Sequence, residues 1–304
     1  MRQRITTMRS RELGEELRRA RECAGVRGNA VCEELEWSAA KLSKLEGGWR
    51  GTSDVELAVL LGRLGTDKRT RHRIITLAQG HDTGYLLRPH FGNLADSLVC
   101  LIIHERAART ICKYEPVLVP GLLQTREYAE VLIRGGGVNP VEDVGPMIRS
   151  RMDRQEVLTG HESPDAMFFV HEAALHAPIG NSRIMHDQMM RLAFMSEWSR
   201  LSPRVVPLTV NHPLLARSFV LMTFDEVEPV AYVETDVATL FVDDGNSVEF
   251  YRHKQEVLSE LALSAEQSRS VFAHWADVYD RREDHDDEDV AQEQLQRDRQ
   301  RGLR

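Results

Sequence analysis

Trp37-Ser38-Ala39-Ala40-Lys41-Leu42-Ser43-Lys44-Leu45-Glu46-Gly47-Gly48 decides the reading of the N-terminal region. Serine is a preferred helix N-cap and paired glycines stop a helix, so the stretch predicts a helix from Ser38 to about Glu46. Leu42 and Leu45 turn inward; Ala39, Ala40, Lys41, Ser43 and Lys44 lie on the other side. Upstream, the tight stretch Glu36-Trp37-Ser38 follows a short helix from about Asn29 to Leu35, with Val31 and Leu35 inward. Before it, Ser10 caps a helix from Arg11 to Ala24, whose Leu13, Leu17, Ala20 and Ala24 share one face, and Gly25 ends it. Downstream, Ser53-Asp54-Val55-Glu56 is a capping box. It opens a fourth helix with Leu57, Leu60, Leu61 and Leu64 inward. Thr66 caps a fifth, Asp67 to Gln79.

Two helices joined by a three-residue turn suit a helix-turn-helix, in which the apolar residues lock the helices and the outer side of the second one faces the DNA major groove. On that reading Arg27, Asn29, Ser38, Ala40, Lys41, Ser43, Lys44 and Arg50 are the DNA-contact candidates, with Arg2, Arg4 and Arg9 as backbone contacts. The same spacing also suits a plain five-helix bundle with solvated lysines.

Charge supports the first alternative. The chain of 304 residues has net charge −8, yet residues 1–80 hold 16 Lys+Arg against 11 Asp+Glu. A basic head on an acidic body suits a nucleic-acid-facing module and argues against broad phosphate binding. Within residues 26–50, however, Arg27, Lys41, Lys44 and Arg50 are balanced by Glu33, Glu34, Glu36 and Glu46, so phosphate attraction has to come from the flanks. The longest apolar run, Leu98 to Ile103, is far short of the about 20 residues of a membrane span. The basic N-terminus lacks the apolar core of a secretory signal, and the four cysteines form no CxxC pair. These features predict a reduced, cytoplasmic protein.

Length allows about two domains. Residues 1–80 are expected to be all-α, 81–92 a linker, 93–280 an α+β regulatory or partner-binding domain, and 281–304 a charged tail, disordered or a frayed helix. In the α+β part, helices are expected at 94–109, 125–134, 141–158, 182–201, 247–261 and 264–279. Strands are expected at 111–114, 167–170, 205–210, 219–224, 230–234 and 240–242.

Residues 10–65, with WSAAKLSKLEGG at their centre, resemble the Xre (lambda-repressor-like) helix-turn-helix. KYEPVLVPGLLQTREYAEVLI (113–133), RMDRQEVL (151–158) and FVHEAALHAPIG (169–180) resemble the C-terminal domain of actinobacterial regulators of this type. The resemblance implies a transcriptional regulator whose C-terminal domain binds a small partner protein. Two positions depart from the family pattern. The second helix starts at Arg27-Gly28 where Thr-Gln is usual, and Glu36 stands where the turn usually has Gly. A left-handed Glu36 costs about 1–2 kcal/mol and puts a carboxylate near DNA.

Other constellations carry less. His171-Glu172-Ala173-Ala174-Leu175-His176 nearly spells a zinc motif, but imidazoles at i and i+5 lie about 140° apart on a helix and cannot share a metal. Gly135-Gly136-Gly137 lacks the Lys of a phosphate loop, and the acidic run 283–289 lacks calcium-loop spacing; as a solvated tail it is a candidate competitor with DNA for the basic head. Tyr114, Glu115, Gln124, Arg126, Arg151, Arg154 and Gln155 are candidates for gripping a partner or an anionic effector, or else surface salt bridges. No metal, cofactor or catalytic residue is expected. The leading expectation is a homodimeric regulator on double-stranded DNA. The alternatives are a degenerate helix-turn-helix that binds a partner protein, or DNA only with it, and an enzymatic C-terminal domain.

Overall fold

The computed structural model describes residues 6–49, 51–80, 83–89, 94–136, 141–160 and 162–282. The chain divides into two compact units, 1–109 with 221–252 and 110–220 with 253–304.

The first unit begins with five helices: α1 (Met8–Cys23), α2 (Gly28–Glu34), α3 (Ala39–Glu46), α4 (Asp54–Arg63) and α5 (Lys68–Gln79). Leu17, Val31, Leu45, Leu57, Leu61 and Ile74 fill their common core. α1 starts three residues earlier than the sequence pattern suggests. Thr7 is its N-cap, and Ser10 is the reciprocal partner of a capping box rather than the cap. Met8 at its start is buried on the side away from the Leu13 and Leu17 face. Asp67, not Thr66, caps α5 through the N–H groups of Arg69 and Thr70.

Residues expected within a linker contain a strand, β1 (Tyr85–Pro89), followed by α6 (Leu94–Ala107). β1 pairs antiparallel with β7 (Ala238–Val242), Leu87 opposite Leu240, and β7 pairs antiparallel with β6 (Val230–Glu234). The period-2 signal is only two residues long, Leu86 buried and Leu87 exposed, and flanking Gly84 and Pro89 mask it. Gly84 adopts φ +79, with Asp244 so close that a Cβ would meet it at 2.8 Å.

The outer side of α1 is also buried, and it is charged. Glu12 is ion-paired to Arg88 of β1; burial raises its pKa and the guanidinium opposes the rise. The Met8 N–H donates to Asp243 at 2.8 Å. The Arg11 guanidinium lies 4.4 Å from the Phe224 ring centroid, and burial lowers its pKa to about 10. His104 of α6 donates from Nδ1 to the Cys100 carbonyl at 2.7 Å. Burial and the Arg11 charge push its pKa down to about 3, so it is neutral. α1 thus has two buried faces, one to the helical core and one to β1, α6, Phe224 and Asp243.

The second unit is built on three parallel strands, β2 (Thr110–Glu115), β3 (Asp165–His171) and β4 (Leu201–Val206), with Thr110 opposite Asp165 and Ala166 opposite Leu201. Its helices are α7 (Arg126–Gly135), α8 (Val141–Arg154), α9 (Ala173–His176), α10 (Ser182–Met195) and α12 (residues 265–282). β5 (Phe219–Thr223) and α11 (Gly245–Leu261) give residues to both units. α10 ends six residues before the expected end at Leu201, and β4 starts four residues before the expected Val205. The strand pattern Leu201, Pro203, Val205 was hidden by a proline that an edge strand accepts. Arg204 of β4 caps α11, donating to the carbonyls of Ser259, Ala262 and Leu263. Arg281 and Arg282, expected in the tail, continue α12; the remaining tail, 283–304, lies outside the described residues.

Candidate nucleic-acid interface

α3 is fixed from three directions. Ser38 Oγ accepts the Lys41 N–H at 3.1 Å and caps the helix. Leu42 and Leu45 enter the core. At the far end, buried Glu46 takes both Nε and NH2 of Arg21, at 2.6 and 2.9 Å, while Arg21 NH1 donates to the Val26 carbonyl at 3.2 Å. The helix also runs very close to α1: a Cβ on Gly14 would sit 2.5 Å from the Glu46 carbonyl oxygen, so only glycine fits there.

Opposite the core, Ser38, Ala39, Ala40, Ser43 and Lys44 are exposed, with Arg27 and Asn29 exposed at the start of α2. The side chains of Arg27, Asn29, Ser43 and Lys44 make no hydrogen bond or ion pair among the described residues. Lys41 behaves differently. Its ammonium is paired with Glu56 of α4 and lies 4.0 Å from the Trp37 ring centroid. Lys41, the Thr52 hydroxyl and the Ser53 N–H together lower the Glu56 pKa to about 2. The capping-box glutamate therefore has a second role that its helix-start position concealed. Arg50, and the backbone candidates Arg2 and Arg4, lie outside the described residues. Glu36 is left-handed at φ +52, the one non-glycine residue with positive φ among those described, and it is exposed.

Of the second set of candidates, Gln124, Arg151 and Gln155 come together, but around a loop. The segment Val119 to Gln124 contains a 3-10 turn (Gly121–Leu123), and side chains answer its carbonyls. Gln124 Nε2 donates to Val119 O at 2.7 Å, and Gln155 Nε2 donates to Gly121 O and Gln124 O at 3.1 and 2.9 Å. Gln188 Nε2 and Arg191 Nε donate to Leu123 O at 3.0 and 3.2 Å. Arg151 donates to Gln124 Oε1 and Arg191 to Gln155 Oε1, at 2.9 and 2.7 Å. Gln188 and Arg191 of α10 belong to this cluster and were missed, because nothing local marks a helix side chain as a donor to a distant loop. Tyr114 is fully buried, its hydroxyl donating to Leu215 O at 2.9 Å. Glu115 pairs with Lys113 at 3.0 Å. Arg154, on α8, is half-buried; Arg126 is exposed at the start of α7.

A family model described as a helix-turn-helix domain matches residues 12–74. A second, described as a domain of unknown function (DUF5753), matches residues 100–274, more than half of the chain. The chain belongs to the DUF5753 family. A search of curated proteins finds no match. Among solved structures, the chain resembles an archaeal chromatin protein reported to show a novel mode of DNA binding. Identity is 12%, coverage 79% of this chain and 88% of that one, and the TM-score 0.27, too low for a shared fold.

The DUF5753 region contains the whole loop network just described, so its LVPGLLQT string marks a structural clamp. It also contains a cavity of about 560 Å³ lined by residues including Leu158, Ser163, Trp198 and Arg200, none of them a sequence candidate. In its HEAALH stretch, His171 Nδ1 accepts the Ala173 N–H at 3.2 Å and Glu172 accepts the Leu208 N–H at 2.9 Å, while His176 packs edge-on to Trp275. No His, Cys, Asp and Glu grouping among the described residues has the geometry of a metal site, and no described helix is long and apolar enough to cross a membrane.

Proposed function

We propose that the chain is a DNA-binding transcriptional regulator that inserts α3 into the major groove. One observation carries this reading. Apart from Lys41, the α3 side chains turned away from the core are short or cationic, exposed, and unengaged within the described protein, whereas the helix beneath them is held by a cap, a bidentate ion pair and a glycine crossing. A rigid helix with a free polar face is what base reading requires. Ser43 and Lys44 face base edges, Ala40 admits close approach, and Arg27 and Asn29 meet phosphates. Lys41 positions α3 against α4 rather than reaching DNA.

In this reading two copies of the chain read half-sites about 34 Å apart, since one such helix buries too little surface for tight specific binding. The DUF5753 region serves as a non-catalytic module for a small partner protein or effector, and the protein acts in the cytoplasm, as its resemblance to actinobacterial Xre-type regulators suggests. The test is a mobility-shift titration with selected duplex DNA. Lys44→Ala weakens binding by about tenfold, within the range for one specific contact, and leaves stability unchanged. Unaltered affinity refutes the placement. A second reading, binding of a partner protein through the same head, is favoured by the exposed carboxylate of Glu36 at the turn. It predicts no salt-dependent affinity for any duplex without the partner.

A further inference from the structure

α4 is apolar on two sides. Leu57, Leu60 and Leu61 are buried in the helical core. On the other side Val55, Ala58, Val59 and Gly62 recur at i, i+3, i+4 and i+7 and are all exposed, Val55 by 73% and Val59 by 51%. Only Asp54, Glu56 and Arg63 interrupt this composition, at the helix ends. A helix apolar all round belongs in an interior, and no described residue closes over this face.

We propose that this stripe packs against the same stripe of a second copy, antiparallel about a two-fold axis, and so pairs two DNA-binding heads. A two-fold interface must be self-complementary. Antiparallel pairing brings Asp54, in the acidic first turn, toward Arg63, in the last turn of the other helix; parallel pairing would oppose like charges. Ala58 and Gly62 let the axes approach to the short end of the about 8–10 Å range, and nothing occupies the space over Gly62. The centre of the stripe falls between Ala58 and Val59, so Val59 meets its own copy.

The size of the patch sets when it acts. α4 is about 15 Å long, and four small side chains fall well short of the about 800 Å² per partner of a stable interface. Pairing is therefore weak in free solution and becomes effective when adjacent half-sites hold two heads together. Because the Lys41–Glu56 pair joins α4 to α3, pairing through α4 also sets the spacing of the two recognition helices. The role on DNA rests on the function proposed above; the pairing itself does not.

The test uses the full chain with Val59→Cys in a Cys23→Ser background, since Cys23 is the exposed native thiol among the four cysteines. Mild oxidation is expected to give a disulfide-linked dimer at high protein concentration, in yield increased by a duplex with two half-sites. Val55→Glu with Val59→Glu is expected to reduce affinity for the two-half-site duplex by at least about tenfold, leaving single-half-site affinity unchanged. Absence of the cross-link with and without DNA, or full cooperativity in the double-glutamate variant, overturns the proposal. A cross-link that DNA does not enhance supports the pairing and counts against the DNA-binding reading instead.

Discussion

The outer face of α3 with the start of α2, and the loop at Val119–Gln124, carry similar residues, Ser, Asn, Lys and Arg on one and Gln and Arg on the other, yet they use them oppositely. On α3 and the start of α2 the side chains of Ser43, Lys44, Arg27 and Asn29 are exposed and unengaged within the described protein, while Lys41 is held by Glu56. Around the loop, amide and guanidinium groups converge on its backbone carbonyls. Polarity turned inward supports the fold; polarity turned outward is available to a ligand. The two should separate in experiment: inward substitutions change stability, and outward ones change affinity.

The largest effect is expected at His104. Its folded pKa, about 3, lies below the ordinary histidine value of 6.5. Between those values the unfolded chain binds a proton that the folded chain does not, so stability falls as pH drops from 6.5 toward 3. The shift corresponds to about 5 kcal/mol at the acid end. Glu12, whose pKa burial raises, works in the opposite direction and softens the decline. His104→Gln should flatten the acid limb of a stability–pH curve measured by denaturant titration; an unchanged slope would mean the imidazole is not buried neutral.

Gln155→Leu comes next. It removes the donor to two carbonyls and the acceptor of Arg191. A loss of about 3 kcal/mol is expected, from buried groups left unsatisfied. Calorimetry should show the loss with DNA affinity per folded molecule unaltered; loss of partner binding without loss of stability would return the cluster to the status of a binding site.

Glu36→Gly has the smallest effect and cuts across the comparison. Glycine relieves the left-handed backbone, for a gain of about 1 kcal/mol. It also removes a carboxylate beside α3, so, if α3 enters the groove as proposed, DNA binding should tighten together with stability. A more stable protein with unchanged affinity would place the turn away from the duplex.

The same contrast explains what the sequence reveals. The helices of the head are legible because capping residues and apolar spacing are local: Ser38, Ser53 with Glu56, and the leucine faces of α3 and α4 all act within a turn or two. The left-handed Glu36 is legible by another route, the resemblance to a family whose turn usually has glycine at that position. β1 escapes because its alternation is two residues long, and the early start of β4 because Pro203 imitates a break. Lys41 is read as a DNA contact because its partner, Glu56, stands fifteen residues away and already explains a helix start. Gln124, Arg151 and Gln155 are read as candidates for gripping a ligand because residue type does not disclose whether a polar head finds water or a carbonyl. That distinction depends on tertiary packing, which periodicity does not encode.

The central claim is that the outer face of α3 reads base sequence. It is tested most directly by selecting duplexes from a random pool with the wild-type protein and with Ser43→Arg. A changed preference at one position of each half-site, with the rest of the recognised sequence retained, is the predicted result. Identical preferences for both proteins, or no enrichment by either, would contradict it.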